Sequence, residues 1–164
     1  MVYFVATPIG NLKDITLRAL ETLKEADIIF CEDTRHTLKL LSAYEIKKPL
    51  QSCHKFNETQ AGQKILQASQ SGQKVAVVSD AGMPVISDPG SVVCRILRDA
   101  GEPYTVIPGA CAFVSALVLS ALPADRFAFF VLLHDKTENL DARRVRQRVG
   151  DLCNEQDFFF LQLI

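Results

Sequence analysis

The stretch Val75-Ala76-Val77-Val78-Ser79-Asp80-Ala81-Gly82 decides the fold class of this 164-residue chain. Its first four residues are apolar without alternation, which is typical of a strand covered on both faces, as in a parallel sheet. The residues that follow are small or polar and end in glycine, which indicates a turn directly after the strand. The stretch therefore predicts a buried parallel strand with a tight loop at its carboxyl end.

Outward from this strand, short apolar runs alternate with amphipathic helical patterns in both directions. Such alternation, with short connections, predicts an α/β fold with a doubly wound, mostly parallel sheet. The other predicted strands cover residues 2–6, 27–31, 49–53 and 104–107.

Local signals place the starts of the predicted helices. Asp14 is the expected N-cap of the first helix, and Asn57 with Gln60 resembles a capping box. Asp88-Pro89 supplies an N-cap and a first-turn proline for a helix that ends near Gly101. The helix predicted at residues 110–122 is apolar on all sides, so we expect it to be buried between layers.

A boundary is expected where Leu122-Pro123 follows that apolar helix. Residues 1–122 then form an N-terminal α/β domain, and residues 125–164 form the truncated start of a second α/β domain, which needs a partner because it buries little surface. The second part is expected to hold a strand at residues 127–133, an arginine-rich helix at 139–149 and a strand at 157–163.

Composition excludes several classes of protein. The formal net charge is −1, so the chain has no strongly basic nucleic-acid tail, and no apolar run reaches the roughly 20 residues that cross a bilayer. The N-terminus lacks the basic segment of a signal peptide, and five cysteines without a C-x-x-C pair indicate reduced thiols in a cytoplasmic protein. The histidines lack metal-ligand spacing, and dinucleotide, Walker and nucleophile-elbow motifs are absent. We predict no metal site and no membrane contact.

Four segments that follow predicted strands are rich in glycine, proline and polar residues. Ligands of open α/β sheets bind outside the carboxyl ends of the strands, so we expect these segments to line one ligand cleft. Each alone could simply be a turn, but four at one edge favour a cleft. The segments are residues 7–11, 32–36, 79–84 and 108–111.

Several of these segments carry a family resemblance. Residues 5–20 read VATPIGNLKDITLRAL, residues 32–35 read EDTR, residues 53–58 read CHKFNE and residues 79–90 read SDAGMPVISDPG. These motifs, with Leu122-Pro123 and the D-R-F that begins at Asp125, resemble the tetrapyrrole-methylase superfamily. More narrowly, they resemble its branch of small-subunit ribosomal RNA 2′-O-ribose (cytidine) methyltransferases.

The resemblance implies S-adenosylmethionine as methyl donor, small-subunit ribosomal RNA as substrate and a homodimer as the working form. Matched by position, it implies that one group of residues contacts the donor: Pro8, Asp80, Ala81, Gly82, Met83, Val85, Ile86, Ala110 and Cys111. It implies that a second group faces the RNA: Gly10, Asn11, Arg35, Asn57 and Glu58.

Removal of the proton from a ribose hydroxyl needs a base or a favourable field, and Glu32, Asp33 and His54 are the candidates for this catalytic role. Glu32 and Asp33 could instead only favour the N-terminus of the following helix, and His54 could be structural. The chain departs from the family pattern at Met83, where the family has threonine, and at Val85, where it has glycine. Two alternatives stay open: a non-catalytic remnant that binds RNA or a partner, and a methyltransferase that acts on a tetrapyrrole.

Overall fold

The computed structural model describes residues 1–125 and 127. They divide into two units, Met1–Ala112 and a second that begins at Phe113. The strands are β1 (Val2–Val5), β2 (Ile28–Cys31), β3 (Leu50–Ser52), β4 (Val75–Val78) and β5 (Tyr104–Ile107). The helices are α1 (Leu17–Glu25), α2 (Thr34–Ala43), α3 (Glu58–Gln70), α4 (Ser91–Asp99) and α5 (Ala112–Leu119). Apart from Phe127 itself, the strand, helix and strand predicted beyond residue 126 lie outside the described residues.

The five strands form one parallel sheet in the order β3-β2-β4-β1-β5. This arrangement confirms the predicted α/β class. β4 lies at the centre between β2 and β1, and all four of its residues are buried. Burial on both faces explains why this strand is apolar without alternation.

Successive side chains of each strand point to opposite faces, and each face carries its own core. Val5 packs with Leu23 of α1 and Leu41 of α2 on one face. Phe4 packs on the other face with Ile65 of α3 and Leu97 of α4. The chain thus places α1 and α2 on one side of the sheet and α3 and α4 on the other.

The first helix begins later than predicted, so the expectation for Asp14 was wrong. Asp14 belongs to a short 3-10 turn, Leu12–Asp14, which Asn11 caps by accepting from the Lys13 amide at 3.1 Å. Thr16 is the N-cap of α1, and its hydroxyl accepts from the Ala19 amide at 3.1 Å.

Two other helix starts also differ from the prediction. Asn57 is the N-cap of α3 but makes no side-chain bond to the helix, so the expected capping box is absent. α4 begins at Ser91 after Gly90, not at residues 88–89, because Pro89 belongs to a tight turn in which its carbonyl accepts from the Val85 amide at 3.2 Å.

The expectation of a buried helix at residues 110–122 was wrong. The helix is shorter, and none of the residues of α5 is buried in the part of the chain that the structure describes. Val118 and Leu119 are 75% and 85% exposed. Among the described residues, no helix has the length and apolar character needed to span a membrane.

Candidate active site

Two neighbouring strands send their connections over opposite faces of the sheet. The connection from β1 to β2 crosses β4 on the face of α1, whereas the connection from β4 to β5 crosses β1 on the face of α4. The carboxyl ends of β1 and β4 therefore form the topological switch point of the sheet. Ligands of open α/β sheets bind at such a point.

The loops that follow β1 and β4 are joined at this switch point by a two-residue antiparallel bridge. The Thr7 amide donates to the Gly82 carbonyl at 2.8 Å, and the Gly82 amide donates to the Thr7 carbonyl at 3.1 Å. The buried Thr7 hydroxyl adds a bond of 3.2 Å to the Ser79 carbonyl. The bridge thus holds the two loops together directly after the ends of their strands.

The loop after β5 reaches the same place. A Cβ atom on Gly82 would lie 3.3 Å from Cγ2 of Ile9 and 3.8 Å from the carbonyl oxygen of Ala110. A Cβ atom on Gly109 would lie 2.9 Å from the Cβ atom of Ala6. Both positions need glycine because three loops approach one another this closely.

A carboxylate links the loops after β2 and β4. Oδ1 of Asp80 accepts from the Asp33 amide at 3.1 Å. Burial, followed by the nearby charges of Asp80 and Asp88, raises the pKa of Glu32, and the charge of His54 partly opposes this. Burial and Asp80 also raise the pKa of Asp88. The structure thus brings Glu32 next to the loop that was predicted to contact the donor.

Asp33 has a different role from its neighbour Glu32. Its side chain caps α2 by accepting from the Arg35 amide at 2.8 Å, and Oδ2 accepts from the Arg35 guanidinium at 2.7 Å. These bonds hold the pKa of Asp33 well below its ordinary value. A carboxylate with so low a pKa is a weak base, so Glu32 is the stronger candidate of the two.

The loop after β3 holds His54 and Asn57. Asn57 accepts from the His54 amide at 2.8 Å and donates to the Ser52 carbonyl at 3.2 Å, which explains why it does not cap α3. Nδ1 of His54 is buried and has no hydrogen-bond partner among the described residues. The imidazole ring packs edge-on against the ring of Phe56, which is 94% exposed.

Phe56 is the residue that sequence reasoning missed. Its exposed ring lies beside the imidazole of the candidate catalytic residue His54, so the ring is accessible at this edge of the sheet. The sequence signals it only as a departure: the family that the motifs resemble has the pattern H-x-H-N-E here, and this chain has phenylalanine in place of the second histidine.

Glu58 does not face outward, so its predicted contact with RNA is corrected. Its side chain is 9% exposed, and Oε1 accepts from the amides of Gly90 and Val92, each at 2.7 Å. The carboxylate therefore satisfies the start of α4, where free amides and the helix dipole favour a negative charge.

The remaining predicted residues lie along the same edge of the sheet with different exposures. Arg35 has a side chain that is 88% exposed, so its guanidinium is accessible despite the ion pair with Asp33. Gly10, Asn11, Ala81 and Ile86 are exposed. Half-buried positions are taken by Pro8, Asp80, Met83, Val85, Ala110 and Cys111.

The segment from Val85 to Gly90 adopts unusual backbone angles. Val85 has φ of 80° and Ser87 has φ of 67°, in the left-handed region that a β-branched residue rarely enters. Val85 stands where the family pattern has glycine, and it keeps the backbone conformation that glycine adopts easily. Its side chain packs on the core shared with Phe4 and Leu97.

Comparison with known proteins agrees with this geometry. The chain is 53% identical over 136 residues to the "Ribosomal RNA small subunit methyltransferase I" of Mycoplasmopsis pulmonis, a match that covers 83% of this chain and 61% of that protein. A protein of the same name from Haemophilus influenzae is 46% identical, with 85% of this chain and 52% of that protein covered. The chain therefore spans about half the length of the curated relatives that it matches.

Solved structures and the family match lead to the same group. The uroporphyrin-III-C-methyltransferase from Thermus thermophilus superposes with a TM-score of 0.56 at 27% identity, over 76% of this chain and 53% of that one. Residues 1–158 match the family described as "Tetrapyrrole (Corrin/Porphyrin) Methylases". The parallel sheet, the joined loops at its switch point and this match over nearly the whole length show that the chain belongs to the tetrapyrrole methylase family.

Proposed function

We propose that this chain acts as an S-adenosylmethionine-dependent methyltransferase on a ribose 2′-hydroxyl of small-subunit ribosomal RNA. The names of the relatives support small-subunit ribosomal RNA as the substrate, the resemblance of the motifs supports the ribose 2′-hydroxyl, and the family supports a methyl donor of this type. The observation that carries the proposal is the contact between the loops after β1, β4 and β5, next to Glu32, whose pKa is raised.

The residues at the switch point suit a donor that is bound largely by backbone groups. Gly82 lacks a side chain where Ile9 and Ala110 approach, and Ala81 and Gly109 are small and exposed. We assign the donor site to Pro8, Asp80–Met83, Val85, Ile86, Ala110 and Cys111. When bound, the donor supplies a methyl group on a positively charged sulfonium, which is open to attack by a hydroxyl oxygen.

We propose Glu32 as the group that accepts the proton from the ribose hydroxyl. Its raised pKa makes it a better base than an ordinary carboxylate, whereas the ion pair with Arg35 weakens Asp33. His54 lies close enough to lower the pKa of Glu32, and its buried Nδ1 has no hydrogen-bond partner within residues 1–125 and 127, so we assign it a supporting role beside this carboxylate.

On the substrate side, we propose that Phe56 stacks against an unpaired base of the RNA and that Arg35 contacts a phosphate. Exposed aromatic rings and guanidinium groups are the usual partners of single-stranded RNA. Gly10 and Asn11 form an exposed rim on the same sheet edge. Asn57 acts indirectly, because its side chain is used to hold the His54 loop.

The proposal is tested by methyl transfer from labelled S-adenosylmethionine to small-subunit ribosomal RNA. We expect Glu32→Gln to lower the turnover rate by roughly 10²–10⁴-fold while donor binding, measured by calorimetry, stays unchanged. Glu21→Gln removes an exposed carboxylate on α1 and serves as the control. A protein that binds the donor but modifies only tetrapyrroles refutes the RNA substrate, and a protein that binds no donor favours the non-catalytic alternative.

We also propose that the protein works in the cytoplasm as a homodimer. The ribosomal RNA named for the relatives supports this location, and the dimer rests on the family resemblance. Light scattering on the purified protein tests the dimer, and a monomer at micromolar concentration would contradict it.

A further inference from the structure

The buried carboxylate of Glu58 performs a task that the proposed chemistry does not use. It accepts from the amides of Gly90 and Val92, each at 2.7 Å, and belongs to α3, whereas both donors belong to the start of α4. Burial of a carboxylate is costly unless hydrogen bonds compensate it. The amides of Gly90 and Val92 must therefore stay within hydrogen-bond distance of this carboxylate.

Gly90 is the last residue of the loop that carries Val85 and Ile86 of the proposed donor site. Ser87 and Val85 hold left-handed backbone angles, which persist only where the surroundings enforce them. The Val85 amide donates to the Pro89 carbonyl at 3.2 Å, and a Cβ atom added to Gly90 would lie only 2.8 Å from Cγ2 of Val85. Pro89 and Gly90 therefore lie directly against Val85, so a shift of Gly90 would be passed on to Val85.

The preceding residue, Asn57, contacts a different loop. Its side chain accepts from the His54 amide at 2.8 Å and donates to the Ser52 carbonyl at 3.2 Å. Two consecutive residues at the start of α3 thus hold the loop of His54 on one side and the loop of Val85 on the other.

We propose that Glu58 is a positioning residue that holds the 85–90 loop in the conformation that receives the methyl donor, and that Asn57-Glu58 keeps this loop in register with His54. The part that concerns the donor rests on the proposed function. Glu58 acts through Gly90 and Val92 and touches neither reactant.

The test compares Glu58→Ala, which removes both bonds, with Glu58→Gln, whose Oε1 can still accept from both amides. Ser69→Ala is the matched control, because Ser69 is also buried but lies at the other end of α3. Its hydroxyl accepts a hydrogen bond from the amino group of Met1 at 2.7 Å. Hydrogen exchange of residues 85–92 reports on the loop, and calorimetry with S-adenosylmethionine reports on the donor site.

We expect Glu58→Ala to speed amide exchange in residues 85–92 by at least tenfold and to weaken donor binding by a similar factor, at a temperature where all variants are folded. We expect Glu58→Gln to stay close to the wild type and Ser69→Ala to leave the loop unchanged. If Glu58→Ala does not fold, Glu58→Asp replaces it with the same expected changes, because its shorter side chain cannot reach both amides.

Unchanged loop exchange in Glu58→Ala overturns the inference, as does equal loss of protection in Ser69→Ala or in Glu58→Gln. The exchange measurement needs no donor. If the amides of this loop are protected from exchange in the wild type but no S-adenosylmethionine binds, the proposed function is refuted. The inference that Glu58 holds the 85–90 loop would then still stand.

Discussion

Gly90→Ala is the substitution whose cost follows most directly from the structure. The new Cβ atom would lie 2.8 Å from Cγ2 of Val85 and 3.6 Å from Cε1 of Phe4, so side chains or backbone must move. Overpacking of this kind costs about 1–3 kcal/mol. The backbone angles of Gly90, φ 133° and ψ −15°, are poorly accessible to alanine and add about 1–3 kcal/mol. We expect a loss of about 2–6 kcal/mol in the free energy of unfolding.

Gly72→Ala separates the two contributions. Gly72 also has a positive φ, of 88°, but a Cβ atom there would have no neighbour within 4 Å, so only backbone strain remains. Val85→Ala, combined with Gly90→Ala, removes the atom that the new methyl group would strike. We expect the double variant to recover about 1–3 kcal/mol relative to the sum of the two single effects, as neighbours that share a contact are not additive.

Urea unfolding of the wild type, the single variants and the double variant measures these free energies. The slope with denaturant should stay unchanged if only native-state stability is affected. The reasoning is refuted if Gly90→Ala costs no more than Gly72→Ala, or if Val85→Ala gives no coupling with Gly90→Ala. Either result would mean that Val85 does not occupy the space beside Gly90.

Three further predictions concern the sheet edge. The pKa of Glu32 is raised from its ordinary value of 4.5, so the folded state retains this proton longer and stability falls as pH rises through the raised pKa; Glu32→Gln should abolish that fall in urea unfolding at pH 4 and 7. The pKa of Asp33 is lowered, so its carboxylate contributes stability at neutral pH that is lost as pH falls through the lowered pKa. Asp33→Asn should therefore lower the free energy of unfolding at pH 7, measured by urea unfolding. Phe56→Ala should weaken the binding of single-stranded RNA by about 1–3 kcal/mol without affecting donor affinity, whereas Phe56→Tyr should bind the RNA as tightly as the wild type. Equal RNA affinity of the alanine and tyrosine variants would contradict base stacking. Arg35→Ala should lower the salt dependence of RNA binding by about one phosphate contact, and an unchanged slope in a salt titration would exclude that contact.

The fold could be predicted because its signals are local. A strand that is buried on both faces must be apolar throughout, so Val75–Val78 can be predicted as such a strand without knowing which strands lie beside it. Helix starts were less predictable because one polar side chain can bond to several different backbone groups. Asn57 could cap α3 in principle, but the nearby His54 amide and Ser52 carbonyl take its side chain.

The order of elements by itself determined that polar, glycine-rich loops share one edge of a parallel sheet, because strands of one direction all end on the same side. The class of chemistry came from the motifs in those loops, through their resemblance to a known family. Only the tertiary structure decided which side chain does what. Glu58 looks like a substrate residue in the motif but is buried against the start of α4, and Asp33 looks like Glu32 but is neutralised by Arg35. Such roles depend on distances between segments far apart in the chain, and these distances arise only when the sheet is assembled.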